Sequence, residues 1–173
     1  RLAVLPGVQN AAAVTQLLSI GMSGVSRWGR VIRVGVVGLD TSHSPAFVKA
    51  FNDPNAAPDL AGFRVVAAYP YGSRTIESSA SRIPRYTEEV KKQGVPIVGS
   101  PADLLDRVDV VLLETNDGRL HLEQALEIFR AGKPVFIDKP IAASLADAVA
   151  IFAAAERHGV PVFSSSSLRY AAG

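Results

Sequence analysis

The chain has no cysteine among its 173 residues. That one lack excludes disulfide bridges, thiolate zinc sites and thiol nucleophiles together, and it fits a reducing compartment. A dense basic cluster is missing as well. Lys91-Lys92 is the tightest pairing, and the formal net charge is only +2. Nucleic acid therefore has no electrostatic footprint here. Long apolar runs are also absent. Ala11–Ile20 is broken by Thr15, Gln16 and Ser19, too short and too polar for a bilayer core that needs about 20 residues. Neither a nucleic acid nor a membrane is an expected partner, and the expected compartment is the cytoplasm.

Methionine is scarce. The one at Met22 stands shortly before the globular pattern begins at Val31. Residues 1–30 read as an N-terminal extension. One reading makes Met22 the true start, with Arg1–Gly21 as upstream read-through or a disordered extension. The other makes the segment the remnant of a secretory leader, because small residues follow the apolar run, and the protein would then be exported. What remains is ordinary for a folded protein, with 48% hydrophobic and 20% charged residues. It suffices for one well-cored domain, taken as residues 31–170, with a short tail at 171–173.

From Val31 onward, short apolar runs alternate with segments of helical period. Val31–Val37, Arg64–Ala68, Pro96–Val98, Asp109–Leu113, Pro134–Ile137 and Val160–Phe163 read as strands, rich in β-branched residues and without period-two alternation. Helices are predicted over Ser44–Asn52 and Arg85–Gln93, and from Ser100, Leu122 and Ser144 onward. Ser100-Pro101 supplies an N-cap followed by proline at the first helical position. Ser144 with Asp147 resembles a capping box, and Gly132 and Gly159 stand where helices should stop. Asp53–Gly62 and Tyr69–Ser79 read as loops. Alternating strands and helices imply an α/β fold, a doubly wound parallel sheet of Rossmann-like type, whose ligands bind beyond the carboxyl ends of the strands.

Those strand ends collect the polar residues. Gly38-Leu39-Asp40-Thr41-Ser42-His43 follows the first strand, and Glu114-Thr115-Asn116-Asp117 follows the fourth. Asp138-Lys139-Pro140 and Ser164–Ser167 follow the last two. A dinucleotide fingerprint needs glycine at three places, for the turn, for approach to the pyrophosphate and for helix packing. Gly38 fills the first, while Asp40 and His43 stand at the other two. Asp40 there is expected to crowd and repel a phosphate, although the following helix N-terminus still offers amides to an anion. Tyr69-Pro70-Tyr71 occupies the turn where a ribose-binding acid would stand. Ser73 and Arg74 beyond it either accommodate a 2′-phosphate, favouring NADP, or are plain loop residues. A metal site from Asp40, His43, Glu114, Asp117 and His121 lacks any HExxH-like regularity, so no metal is expected.

The segment Ala131-Gly132-Lys133-Pro134-Val135-Phe136-Ile137-Asp138-Lys139-Pro140 resembles the "AGKHV-x-x-EKP" stretch of the Gfo/Idh/MocA oxidoreductases. Glu114–His121 is similar to that family's "TP-x-x-x-H" segment, without the proline. Leu145–Val160 is similar to its "EA-x-x-L-x-x-A-x-x-x-G-V" helix, and Leu168-Arg169-Tyr170 to its closing "x-R-F/Y". The resemblance runs from about Ile32 to Tyr170. It implies an NAD or NADP cofactor and a small-molecule substrate, a sugar, polyol or related hydroxylated compound. By the same resemblance Lys139 and His121 are the catalytic candidates, although a capping role for His121 is an open alternative. Gly38, Leu39, Asp40, Thr41, Ser42, His43, Arg74, Thr115, Asn116, Asp138 and Lys139 are the candidate cofactor contacts. The family continues into a second, substrate-binding domain, expected beyond Gly173, and the full-length protein is expected to be a homo-oligomer. The competing expectation keeps the fold and drops the chemistry: a pseudoenzyme or small-ligand-binding protein.

Overall fold

The computed structural model describes residues 31–56 and 58–166. The predicted extension and the Leu168-Arg169-Tyr170 motif lie outside them. The elements run β1 (Ile32–Val37), α1 (His43–Asn52), a 3-10 turn (Pro58–Leu60), β2 (Phe63–Tyr69), α2 (Glu77–Ala80), α3 (Ile83–Lys92), α4 (Pro101–Arg107), β3 (Val110–Leu113), α5 (His121–Arg130), β4 (Val135–Asp138), α6 (Leu145–His158) and β5 (Val162–Ser165). All the strands are parallel, and the sheet order is β2-β1-β3-β4-β5. Two expectations change. Pro96–Val98 makes only an isolated parallel bridge, Ala68↔Ile97, because Pro96 lacks an amide and the segment lies at the sheet edge. The loop over Tyr69–Ser79 contains the start of a helical turn, α2.

Burial on both faces explains the unbroken apolar runs. Val34, Val36, Leu112 and Phe136 pack under Phe47 and Phe51 of α1 and Val90 of α3. The alternate residues Val37, Val111, Leu113 and Ile137 face Leu104 of α4, Ile128 and Phe129 of α5, and Ile151 of α6. Gly35 sits mid-strand for a packing reason. A Cβ there would lie 2.6 Å from Leu104 Cδ2, so only glycine lets α4 approach so closely. The predicted caps form: Ser100 Oγ accepts from Asp103 N, and Ser144 Oγ accepts from Asp147 N, each at 3.1 Å. Gly159 ends α6 in the left-handed conformation.

The chain winds from β1 outward to β2, then returns to place β3 on the other side of β1. The carboxyl ends of β1 and β3 therefore border the switch point, where α/β sheets open a crevice. Among the described residues no helix is long and apolar enough to cross a membrane.

Candidate functional site at the strand tips

The rim begins with a close approach. Gly38 has φ +97°, and a Cβ on it would lie 2.4 Å from Thr115 N, so the β1 and β3 tips touch only because this residue is glycine. Three backbone hydrogen bonds lace the tips: Gly38 N to Tyr69 O, Leu39 N to Tyr71 O, and Glu114 N to Val37 O. Leu39 turns its side chain into the core, leaving only its backbone to the rim.

Asp40 departs from expectation. Its carboxylate does not stand in the crevice but is fully buried. Oδ1 accepts the Asn116 amide at 3.0 Å and Oδ2 accepts the Ser79 hydroxyl. Gly72 makes room, since a Cβ there would lie 2.9 Å from Asp40 Oδ2. The carboxylate thus ties the β1, β2 and β3 loops together. The sequence signals for this, Gly72 and Ser79, lay hidden in what reads as an ordinary polar loop.

The start of α1 is poor in free donors. His43 N points to Thr41 Oγ1 at 3.3 Å, and Pro45 has no N–H. Ser44 Oγ donates to Gly38 O at 2.8 Å, fixing the helix to the tip of β1. Ser42 is exposed and makes no side-chain cap.

Deeper along the rim the charges crowd. His43 Nδ1 lies 2.7 Å from Asp138 Oδ2, and Lys139 Nζ lies 3.7 Å from the same oxygen. Between them Glu114 is fully buried, with neither carboxylate oxygen hydrogen-bonded. Burial drives its protonation point well above the ordinary carboxylate range. Asp138 and Asp40 push the same way, and Lys139 opposes them. The Lys139–Pro140 peptide is cis.

The outer part of the rim is built from satisfied pairs. Arg119 grips Asp117 through Nε at 2.9 Å and a second nitrogen at 2.7 Å, and reaches Thr75 Oγ1 at 2.9 Å. That guanidinium, with help from Ser73, holds the Asp117 carboxyl well below its usual range. Beside the pair opens a cavity of about 330 Å³ lined by Tyr71, Gly72, Ser73, Arg74, Arg119 and Leu120, among others. Arg74 belongs to this cavity and not to the His43–Asp138 cluster.

His121 is fully buried at the start of α5. Its Nε2 lies 2.6 Å from Thr115 O and its Nδ1 3.2 Å from Ile141 O. Gln124 donates to Thr115 Oγ1 at 3.0 Å. Thr115 is thus buried and committed on its backbone and side chain, while Asn116 is half-buried at the rim. Of the five residues weighed as a metal set, His43 and Glu114 belong to the group of three found among the described residues. Asp138 takes the third place.

A doubly wound parallel sheet with a polar rim at its switch point defines a nucleotide-binding α/β domain. Comparison with known proteins narrows that class. Residues 32–166 match the Gfo/Idh/MocA model, described as an oxidoreductase family with an NAD-binding Rossmann fold, and the chain belongs to that family. It is 41% identical over 76 residues to a 1,5-anhydro-D-fructose reductase from Ensifer adhaerens, covering 44% of this chain and 21% of that protein. Among solved structures, a 3-ketoreductase from Actinomadura kijaniata, in complex with TDP-benzene and NADP, is 31% identical. Its TM-score is 0.52, with 79% of this chain and 37% of that one covered. The WlbA dehydrogenase from Chromobacterium violaceum shares the fold at 22% identity and TM-score 0.60, over 80% of this chain and 36% of that one. The chain thus spans about a fifth of the curated relative and little more than a third of these solved chains.

Proposed function

We propose that this chain is the NAD(P)-binding part of an oxidoreductase acting on a sugar, polyol or related hydroxylated compound. The observation that carries the reading is the alignment of Gly38, Asn116 and Lys139 beyond the ends of β1, β3 and β4, three adjacent parallel strands. Membership of the family and the similarity to a 1,5-anhydro-D-fructose reductase support it.

The residues fit the two ends of a dinucleotide, and the middle is built in an unusual way. The cavity beside Arg74 and Arg119 suits an adenosine end. Arg74 there favours a 2′-phosphate, and so NADP over NAD, while Arg119 stays paired with Asp117. Lys139, half-exposed beyond β4, suits the nicotinamide and substrate end. At the middle, Asp40 is tucked into the fold, so its charge is already met by two donors and does not face a pyrophosphate directly. The helix behind it contributes little, for want of free amides.

When bound, the nicotinamide supplies hydride acceptance or donation. Lys139 holds the substrate oxygen and stabilises the charge that develops on it, while the hydroxyl proton passes to a base among the remaining substrate contacts. His121 acts as a positioning residue, wedged between the Thr115 and Ile141 carbonyls so that the β3 and β4 loops keep their spacing. The remaining substrate contacts, and the homo-oligomer, belong to the full-length protein.

Titration of the full-length protein with NADPH and NADH, followed by nicotinamide fluorescence, tests the reading. Saturable binding, tighter for NADPH and weakened for it by Arg74→Ala, is expected. Lys139→Ala should retain cofactor binding and lose turnover. No binding of either cofactor at millimolar concentration would defeat the proposal. The donor-poor start of α1 favours a second reading, a domain that binds a small non-nucleotide ligand, and such a molecule co-purifying with the protein would support it.

A further inference from the structure

We propose that His43, Glu114 and Asp138 form a binding site for one divalent transition cation, Zn²⁺ or Mn²⁺. The three residues come from the start of α1, the tip of β3 and the end of β4. The parallel topology brings them to one point. One ligand atom of each lies within 4.8 Å of the other two, and among the described residues no other such group of three occurs.

Juxtaposition alone would say little. The second observation is what lacks a partner. Both oxygens of Glu114 and Oδ1 of Asp138 are buried without a hydrogen bond. Buried polar atoms are nearly always satisfied, and an unsatisfied set calls for an ion or water at that spot. Nearby carboxylates show the usual solution, since Asp40 and Asp117 have hydrogen-bond donors within reach. The inner pair is left with capacity to spare.

The donor set limits the choice of metal. One imidazole nitrogen and two carboxylates, with no sulfur, suit Zn²⁺ or Mn²⁺ better than Mg²⁺ or Ca²⁺, which favour all-oxygen shells. Three protein ligands leave a coordination position open, as in catalytic rather than structural sites. Two carboxylates match the charge of a divalent ion. Metal–ligand bonds of about 2.0–2.2 Å set neighbouring ligand atoms roughly 3.3 Å apart. His43 Nδ1 and Asp138 Oδ2, now at 2.7 Å, must therefore part slightly, and the cation displaces the proton between them and that of the Glu114 carboxyl. Entry lies past the His43 and Lys139 side chains, 26% and 43% exposed. A cation would repel the Lys139 ammonium from Asp138, freeing it toward the open side of the rim. The inference does not depend on cofactor binding, and the test below uses none.

Calorimetric titration of the chelator-treated 173-residue chain with ZnCl₂ and MnCl₂, with Mn²⁺ paramagnetic resonance alongside, decides it. One equivalent should bind at micromolar concentration or tighter. Mg²⁺ and Ca²⁺ should not compete at equal concentration. His43→Ala and Glu114→Gln should each weaken binding about tenfold or more. The exposed His158→Ala at the far end of α6 should not. Thermal unfolding in chelator checks that each variant is folded, and Asp138→Asn substitutes for any that is not. No binding at millimolar metal, or binding that survives both His43→Ala and Asp138→Asn, would overturn the proposal.

Discussion

Glu114 and Asp117 stand on the same loop beyond β3, yet the fold drives their carboxyl groups in opposite directions. Asp117 meets the Arg119 guanidinium and is held in its charged form. Glu114 meets apolar burial and two carboxylates, which Lys139 offsets only in part, and is held toward its neutral form. At the outer rim the buried carboxylate is thus answered by a guanidinium. At the inner rim both Glu114 oxygens and Asp138 Oδ1 are buried without a protein partner, a condition that calls for an ion or a water.

The sharpest way to break the contrast is to separate the two strand tips that create both regions. Gly38→Ala forces a Cβ into the Thr115 backbone at a φ that disfavours side chains. A loss of more than about 3 kcal/mol is expected in urea unfolding. Asp40→Ala tests the satisfied side next. It orphans the Ser79 hydroxyl and the Asn116 amide, and should cost about 2 kcal/mol, with Asp40→Asn milder. Glu114→Gln probes the unsatisfied side. In chelator at pH 8 it removes a buried carboxylate without partners, so stability should rise by about 1–2 kcal/mol.

The smallest effect is electrostatic. The depressed Asp117 carboxyl contributes stability that is fully present above the ordinary carboxylate range and lost as pH falls through its lower folded value. Asp117→Asn should therefore lower the unfolding temperature by a few degrees at neutral pH and flatten the acid limb of the stability curve. An unchanged limb would mean that the exposed Arg119 screens the pair to nothing.

Much of this architecture can be read from the chain. The β-branched runs, the Ser100 and Ser144 caps and the Gly159 stop each act locally, so their residues predict their conformation. Each strand boundary drifted by at most two residues. Pro96–Val98 failed as a strand because a proline-bearing edge segment holds only a single bridge. The rim was partly legible, since Gly38, Asn116 and Lys139 follow apolar runs in order. Its pairing was not. Nothing in the spacing tells that Asp40 turns to Ser79, that Arg119 rather than Arg74 anchors Asp117, or that Asp138 joins His43 and Glu114. Those partners are set by which strands become neighbours, a property of the whole sheet.

The central claim is that the crevice at the ends of β1, β3 and β4 receives the cofactor. Amide chemical-shift mapping of the isotopically labelled chain during NADPH addition addresses it directly. Progressive shifts are expected at Gly38–Ser44, Arg74, Asn116 and Lys139, with the amino-terminal ends of the strands unmoved. Shifts confined to that opposite edge, or a spectrum unaltered at millimolar NADPH, would contradict it.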